Sequence, residues 1–230
     1  MSRLNKLSRG MLICYVTDRH SFATTESREP QKTLLLKIEA AAATGVDWIQ
    51  IREKDLSGRD CAQLTREALQ RTAKLRAGNA ARTCIIVNDR LDVALTENAG
   101  GVHLGEKSLP LAEAKRLLAE RGERNDFVTG VPCHSLEAAR SAEREGADYL
   151  FFGPVFATPS KATFGAPQGL ERLASVCHEV SIPVLAIGGI TLENASACLA
   201  GGASGIAAIR LFQDTQDISS LVQSLRNLAR

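Results

Sequence analysis

The stretch Leu12-Ile13-Cys14-Tyr15-Val16 is apolar at every position, and Cys84-Ile85-Ile86-Val87 repeats the pattern farther along. A strand with one wet face alternates apolar and polar residues. A run that is apolar throughout is covered on both faces, which is the mark of a parallel sheet wrapped by helices. Working outward, similar short runs recur at residues 12–17, 48–52, 84–88, 102–104, 127–131, 149–152, 184–187 and 206–209. Segments with apolar residues at helical spacing follow them, at 33–44, 58–75, 91–98, 111–121, 135–145, 170–180, 192–199 and 218–228. Eight strand–helix units in 230 residues predict the α/β class and, within it, a single (β/α)8 TIM barrel of eight parallel strands. Two doubly wound half-sheets are the alternative, but no GxGxxG follows the first strand, where a dinucleotide fold needs it.

Composition excludes other classes. With 44% hydrophobic and 23% charged residues the chain is of ordinary globular type. No run approaches the roughly 20 apolar residues of a bilayer span. The 28 basic and 26 acidic residues leave a formal charge of +2, so no global field points to nucleic acid or anionic lipid. The six cysteines form no CxxC pair, which reads as buried thiols in a reducing cytoplasm. No linker composition divides residues 1–230, so one domain is expected, with 1–10 an extension and the polar stretch 21–31 an arm or a loose loop.

In such a barrel the site lies at the C-terminal strand ends. Strand 2 continues Ile49-Gln50-Ile51-Arg52-Glu53-Lys54, and alternation turns Gln50, Arg52 and Lys54 toward the axis. Burying that trio is costly without an anion partner. Asn88 and Asp89 emerge beside it; Asp89 is either a plain N-cap or an oxygen ligand for Mg²⁺. His103 sits between apolar neighbours and reads more readily as core than as chemistry. His134, before a helix that Ser135 can cap, is better placed for proton transfer. The long connection 153–169 offers Thr158, Ser160 and Lys161 as a phosphate cradle or a surface turn. Gly188 and Gly189 let backbone N–H groups approach an anion, and Arg210, just past Ile209, adds a cation at the end of strand 8.

Taken together, Gln50-Ile51-Arg52-Glu53-Lys54, Asn88-Asp89, Gly101-Val102-His103-Leu104-Gly105, Gly153-Pro154-Val155-Phe156, Thr158-Pro159-Ser160-Lys161, Ala166-Pro167-Gln168-Gly169 and Gly188-Gly189-Ile190 resemble the thiamine-phosphate synthase family, whose superfamily also holds thiazole tautomerases. The resemblance covers nearly the whole chain after residue 11. It implies that Gln50, Arg52, Lys54, Asn88 and Lys161 grip the pyrophosphate of an aminopyrimidine substrate and that Asp89 holds Mg²⁺. It implies too that Thr158, Ser160, Gly188, Gly189, Ile209 and Arg210 take a thiazole phosphate. Arg52, Lys161 and His134 are then the catalytic candidates. Partners are small phosphorylated molecules, with a homodimer as the open oligomeric state.

Three positions depart from the family pattern. Ser108 stands where a second Mg²⁺-binding Asp is usual, leaving Glu106 as the nearby carboxylate. Pro132 replaces a pyrophosphate-binding Ser, and Arg210 replaces a small residue. These losses resemble the tautomerases, in which a His at the position of His134 moves a proton without metal. Metal-independent thiazole tautomerase and a non-catalytic thiazole-phosphate-binding barrel therefore stand as alternatives to the synthase.

Overall fold

The computed structural model describes residues 10–22, 29–75, 83–122, 126–158 and 166–228. Residues 1–9 of the expected extension and 23–28 of the polar stretch lie outside them. Strands β1 (Leu12–Val16), β2 (Trp48–Ile51), β3 (Cys84–Asn88), β4 (Gly101–His103), β5 (Val128–Cys133), β6 (Tyr149–Phe152), β7 (Val184–Ile187) and β8 (Gly205–Ala208) pair in sequence order. All pairs are parallel, and β8 closes on β1 with Leu12 opposite Gly205. The helices are α1 (Pro30–Ala43), α2 (Gly58–Lys74), α3 (Leu91–Thr96), α4 (Leu111–Glu120), α5 (Leu136–Arg144), α6 (Gly169–Glu179), α7 (Leu192–Ala200), α8 (Arg210–Gln213) and α9 (Ile218–Asn227). The architecture is the expected TIM barrel. Among the described residues no helix is long and apolar enough to cross a membrane.

Among the boundaries that differ from the sequence reading, three bear on the site. Strand β2 stops at Ile51, one residue early. Strand β5 runs on to Cys133 through Pro132. Gly130 accepts from Leu104 N, so the bond that Pro132 cannot donate would face β4, which has already ended at His103. The short helix α8 interrupts what periodicity reads as a plain link to α9.

Odd positions of β1 and β2, Ile13, Tyr15, Ile49 and Ile51, pack outward against Leu34, Ile38, Leu64 and Ala68 of α1 and α2. The even ones fill the barrel. Leu12, Cys14, Val16, Trp48, Ile86, Val128, Tyr149, Phe151, Leu185 and Ala207 form one inner cluster, in which the Trp48 and Tyr149 rings meet at 4.6 Å. Tyr149 needs Gly130 opposite it: a Cβ there would lie 2.1 Å from the phenol ring. Two carboxylates pin the far ends of the strands in matching ways. Asp47 Oδ2 accepts from Ile13 N and Arg226, both at 2.7 Å, and Asp148 Oδ2 accepts from Thr129 N and Lys115, both at 2.8 Å. Each precedes an aromatic residue, Trp48 or Tyr149, that reaches the barrel interior.

His103 closes this apolar floor. It is 5% exposed, stacks on Phe151 at 4.3 Å and shares a 3.2 Å hydrogen bond with Tyr149 Oη through Nδ1. Burial, with Arg52 adding to it and Asp89 opposing, pushes its pKa down to about 3.

Two expectations follow. Gly130→Ala should lower stability by about 1–3 kcal/mol through overpacking, seen as a lower urea midpoint at unchanged slope; an unchanged midpoint would show that Tyr149 yields freely. Between its ordinary value of 6.5 and about 3, His103 is protonated in the unfolded chain and neutral in the folded one. Its contribution to stability is therefore full above that window and lost as pH falls through it. Urea unfolding across the window should show His103→Phe with a shallower loss of stability on acidification than the parent chain.

Candidate active site

At the mouth of the barrel the ends of β2, β3 and β4 are joined by one line of side-chain hydrogen bonds. Gln50 Nε2 donates to Asn88 Oδ1 at 2.7 Å, and Asn88 Nδ2 donates to Asp89 Oδ2 at 2.6 Å. Asp89 Oδ1 accepts from Gly105 N at 2.8 Å and from the Ser108 hydroxyl. The Asp89 carboxylate sets the direction of the line. It only accepts, so Asn88 must turn its amide N–H to it, which points Asn88 Oδ1 at Gln50 and calls for the Gln50 amide nitrogen. Gln50, 1% exposed, is thereby left with a buried Oε1 that has no partner among the described residues. Such an acceptor costs about 1–3 kcal/mol until a donor arrives.

Asp89 is not an N-cap. Helix α3 begins after Arg90 without a side-chain cap, while Asp89 adopts a left-handed φ of 63° and turns to β4. Each oxygen of a carboxylate has two lone pairs; Oδ1 has two donors and Oδ2 one. The donor set therefore fits a hard cation held by a single protein carboxylate, with substrate oxygens and water completing its shell. Among the described residues no cluster of three or more His, Cys, Asp or Glu side chains is arranged to hold a metal. Glu106 is turned elsewhere: its Oε1 lies 3.1 Å from His134 Nε2.

Alternation carries Arg52 toward the axis, close enough for its charge to act on His103. Lys54 does not follow. With β2 ended at Ile51, Lys54 occupies an exposed turn, because the two-residue period holds only while the chain stays extended. Glu53 stays on the outer face that the same alternation assigns to it, near Tyr15 and Cys61, and is 6% exposed. It accepts from Thr17 Oγ1 at 2.6 Å, from Arg19 N at 3.0 Å and from Arg19 Nη1 at 3.0 Å. Arg19 in turn bridges to Asp55, whose carboxyl it holds well below the ordinary range. The one sequence signal for Glu53 is its place between the basic residues Arg52 and Lys54.

On the other side of the mouth, His134 Nδ1 bonds the Gly153 carbonyl while Nε2 faces Glu106. Each ring nitrogen thus faces an oxygen of the protein. Ser135 caps α5 through Ala138 N at 3.1 Å, as its position suggests.

Gly188 and Gly189 have φ of 93° and 66° and lie against the loop after β6. A Cβ on Gly188 would be 2.5 Å from Pro154 Cβ, and one on Gly189 2.6 Å from Ala157 O. Phe156 N donates to Gly188 O at 3.0 Å. The glycine pair thus seats the 154–157 backbone. Thr158 is half-buried on that loop, Ile209 is half-buried at the end of β8, and exposed Arg210 opens α8. Ser160 and Lys161 lie outside the described residues.

Comparison with known proteins bears on this arrangement. A family model described as thiamine monophosphate synthase matches residues 15–212. The chain is 39% identical to the thiamine-phosphate synthase of Chloroflexus aurantiacus over 95% of its own length and 96% of the relative's. It is 44% identical to that of Methanocella arvoryzae over 81% and 82%. The solved thiamine phosphate pyrophosphorylase of Pyrococcus furiosus superposes with a TM-score of 0.77 at 30% identity, covering 95% of each chain. With its matched residues running from the middle of β1 into α8, the chain belongs to the thiamine monophosphate synthase family.

Proposed function

We propose that this chain is a thiamine-phosphate synthase, a transferase that joins an aminopyrimidine methyl pyrophosphate to a thiazole phosphate and releases pyrophosphate. The observation that carries the reading is the polarised line from Asp89 to Gln50, which ends in an unpartnered buried acceptor beside an inward-directed arginine. An aminopyrimidine supplies the N–H donor that Gln50 Oε1 lacks, and pyrophosphate supplies the anion that Arg52 lacks.

The chemistry asks little of acids or bases. The methylene–oxygen bond to pyrophosphate breaks with its electron pair leaving on oxygen, and the lone pair of the thiazole nitrogen forms the new carbon–nitrogen bond. Charge grows on the departing oxygens, and fixed cations there lower the barrier. In this reading Arg52 and, from the resemblance, Lys161 and Lys54 meet that charge. Gln50 and Asn88 orient the pyrimidine end. Thr158, Ser160, Gly188, Gly189, Ile209 and Arg210 surround the thiazole phosphate. Asp89 would hold Mg²⁺, which when bound neutralises pyrophosphate oxygens; Ser108 serves this arrangement by donating to Asp89 rather than by coordinating. The cytoplasm is the compartment we assign, since the six cysteines form no CxxC pair and Cys14, Cys61, Cys133 and Cys198 are buried.

Both His134 nitrogens are occupied by Gly153 and Glu106, which favours the synthase over a tautomerase that needs a free ring nitrogen. Purified protein given both precursors should form thiamine phosphate with Mg²⁺ and none with EDTA. Arg52→Ala should lower kcat/KM by about 10²–10³-fold, the usual worth of one charge-stabilising group; near-parental activity in this variant would remove the role given to Arg52. His134→Ala should cost on the order of tenfold, the worth of a hydrogen bond. No thiamine phosphate, together with isomerisation of a thiazole carboxylate phosphate that is indifferent to EDTA and abolished by His134→Ala, would instead establish the proton-transfer alternative.

A further inference from the structure

Glu53 has no part in anion binding, yet it is the most deeply buried acidic side chain among the described ion pairs at the mouth, 1% exposed. A carboxylate buried next to a pyrophosphate site repels the ligand and loses its own hydration, so its retention calls for a specific structural return. The hydrogen bonds identify one. Arg52 follows the last residue of β2, and its backbone N–H donates not to a ladder carbonyl but to Thr17 Oγ1 at 2.9 Å. That same hydroxyl donates to Glu53 Oε1 at 2.6 Å. Thr17 is fully buried, and its own N–H is fixed on Gln50 O at 2.9 Å. With its proton committed to Glu53, the Thr17 hydroxyl has its lone pairs directed at Arg52 N. Arg19 offsets the Glu53 charge through its backbone N–H and its guanidinium.

We infer that Glu53 is a positioning residue: acting through the Thr17 hydroxyl, it fixes the backbone of Arg52 past the end of β2 and so aims the guanidinium at the pyrophosphate. This rests on the proposed role of Arg52 as an anion contact. Gln at position 53 would present an amide N–H to donors, and Val at position 17 would remove the relay while sparing the charge.

The test is the affinity of the full chain for inorganic pyrophosphate, measured calorimetrically to high ligand concentration for the parent, Glu53→Gln, Thr17→Val and Arg52→Ala, and for Glu53→Gln and Thr17→Val each combined with Arg52→Ala. Glu53→Gln and Thr17→Val should each weaken binding about tenfold in the parent, and neither should weaken it further once Arg52 is gone, because contacting residues are non-additive. A merely structural role predicts the same loss in both backgrounds, and that result, or no loss in the parent, overturns the inference. If Arg52→Ala alone leaves the affinity unchanged, the anion role of Arg52 falls and the positioning role falls with it. Thr17→Val keeps the question answerable if Glu53→Gln does not fold.

Discussion

In a closed parallel barrel every second side chain must fit inside a space that narrows to a few residues per layer, and this constraint governs the rest of the molecule. Trp48 and Tyr149 meet inside it, Gly130 makes room for the phenol, and His103 stays buried and neutral against Phe151. The apolar floor takes up the lower positions of each strand. Polar inward residues are left only at the strand ends, where substrate and water can satisfy them. The same alternation that packs Trp48 therefore carries Gln50 and Arg52 to the mouth.

The site depends in turn on a few fixed charges whose hydrogen-bonding character allows one direction only. Asp89 accepts and cannot donate, so it orients Asn88, and through it Gln50, while also receiving β4 through Gly105. Glu53 does the same on the β1 side through Thr17 and Arg19. Two acceptor-only groups thus determine the orientations of several neutral ones. The loop after β6 is held differently, by backbone contact with two glycines whose φ values suit them to the approach.

Much of this was legible beforehand. Runs such as Leu12–Val16 declare burial on both faces, and their count with intervening helical periods leaves few folds. The tendency of barrel chemistry to gather at strand ends then singles out Gln50, Arg52, Asn88, Asp89 and His134. Illegible features share a cause. Lys54 was assigned inward by a period that ends with the strand at Ile51. Glu106 was offered as a metal ligand by its place two residues before Ser108, yet it faces His134 across the β4–β5 gap. Gly188 and Gly189 read as an anion nest, and the described contacts give them a second part that the sequence does not announce, a seat for Pro154 and Phe156.

By itself, then, the sequence determined the order of strands and helices, the phase of each strand and the identity of the residues delivered to the mouth. These follow from local periodicity and from the cost of burying polar groups. Only the tertiary structure decided where β2 stops, which acid is buried and which way the amides between Gln50 and Asp89 point. Those outcomes depend on partners from other strands, such as Thr17 for Glu53 and Gly105 for Asp89, and no periodicity within one segment encodes a contact made by another.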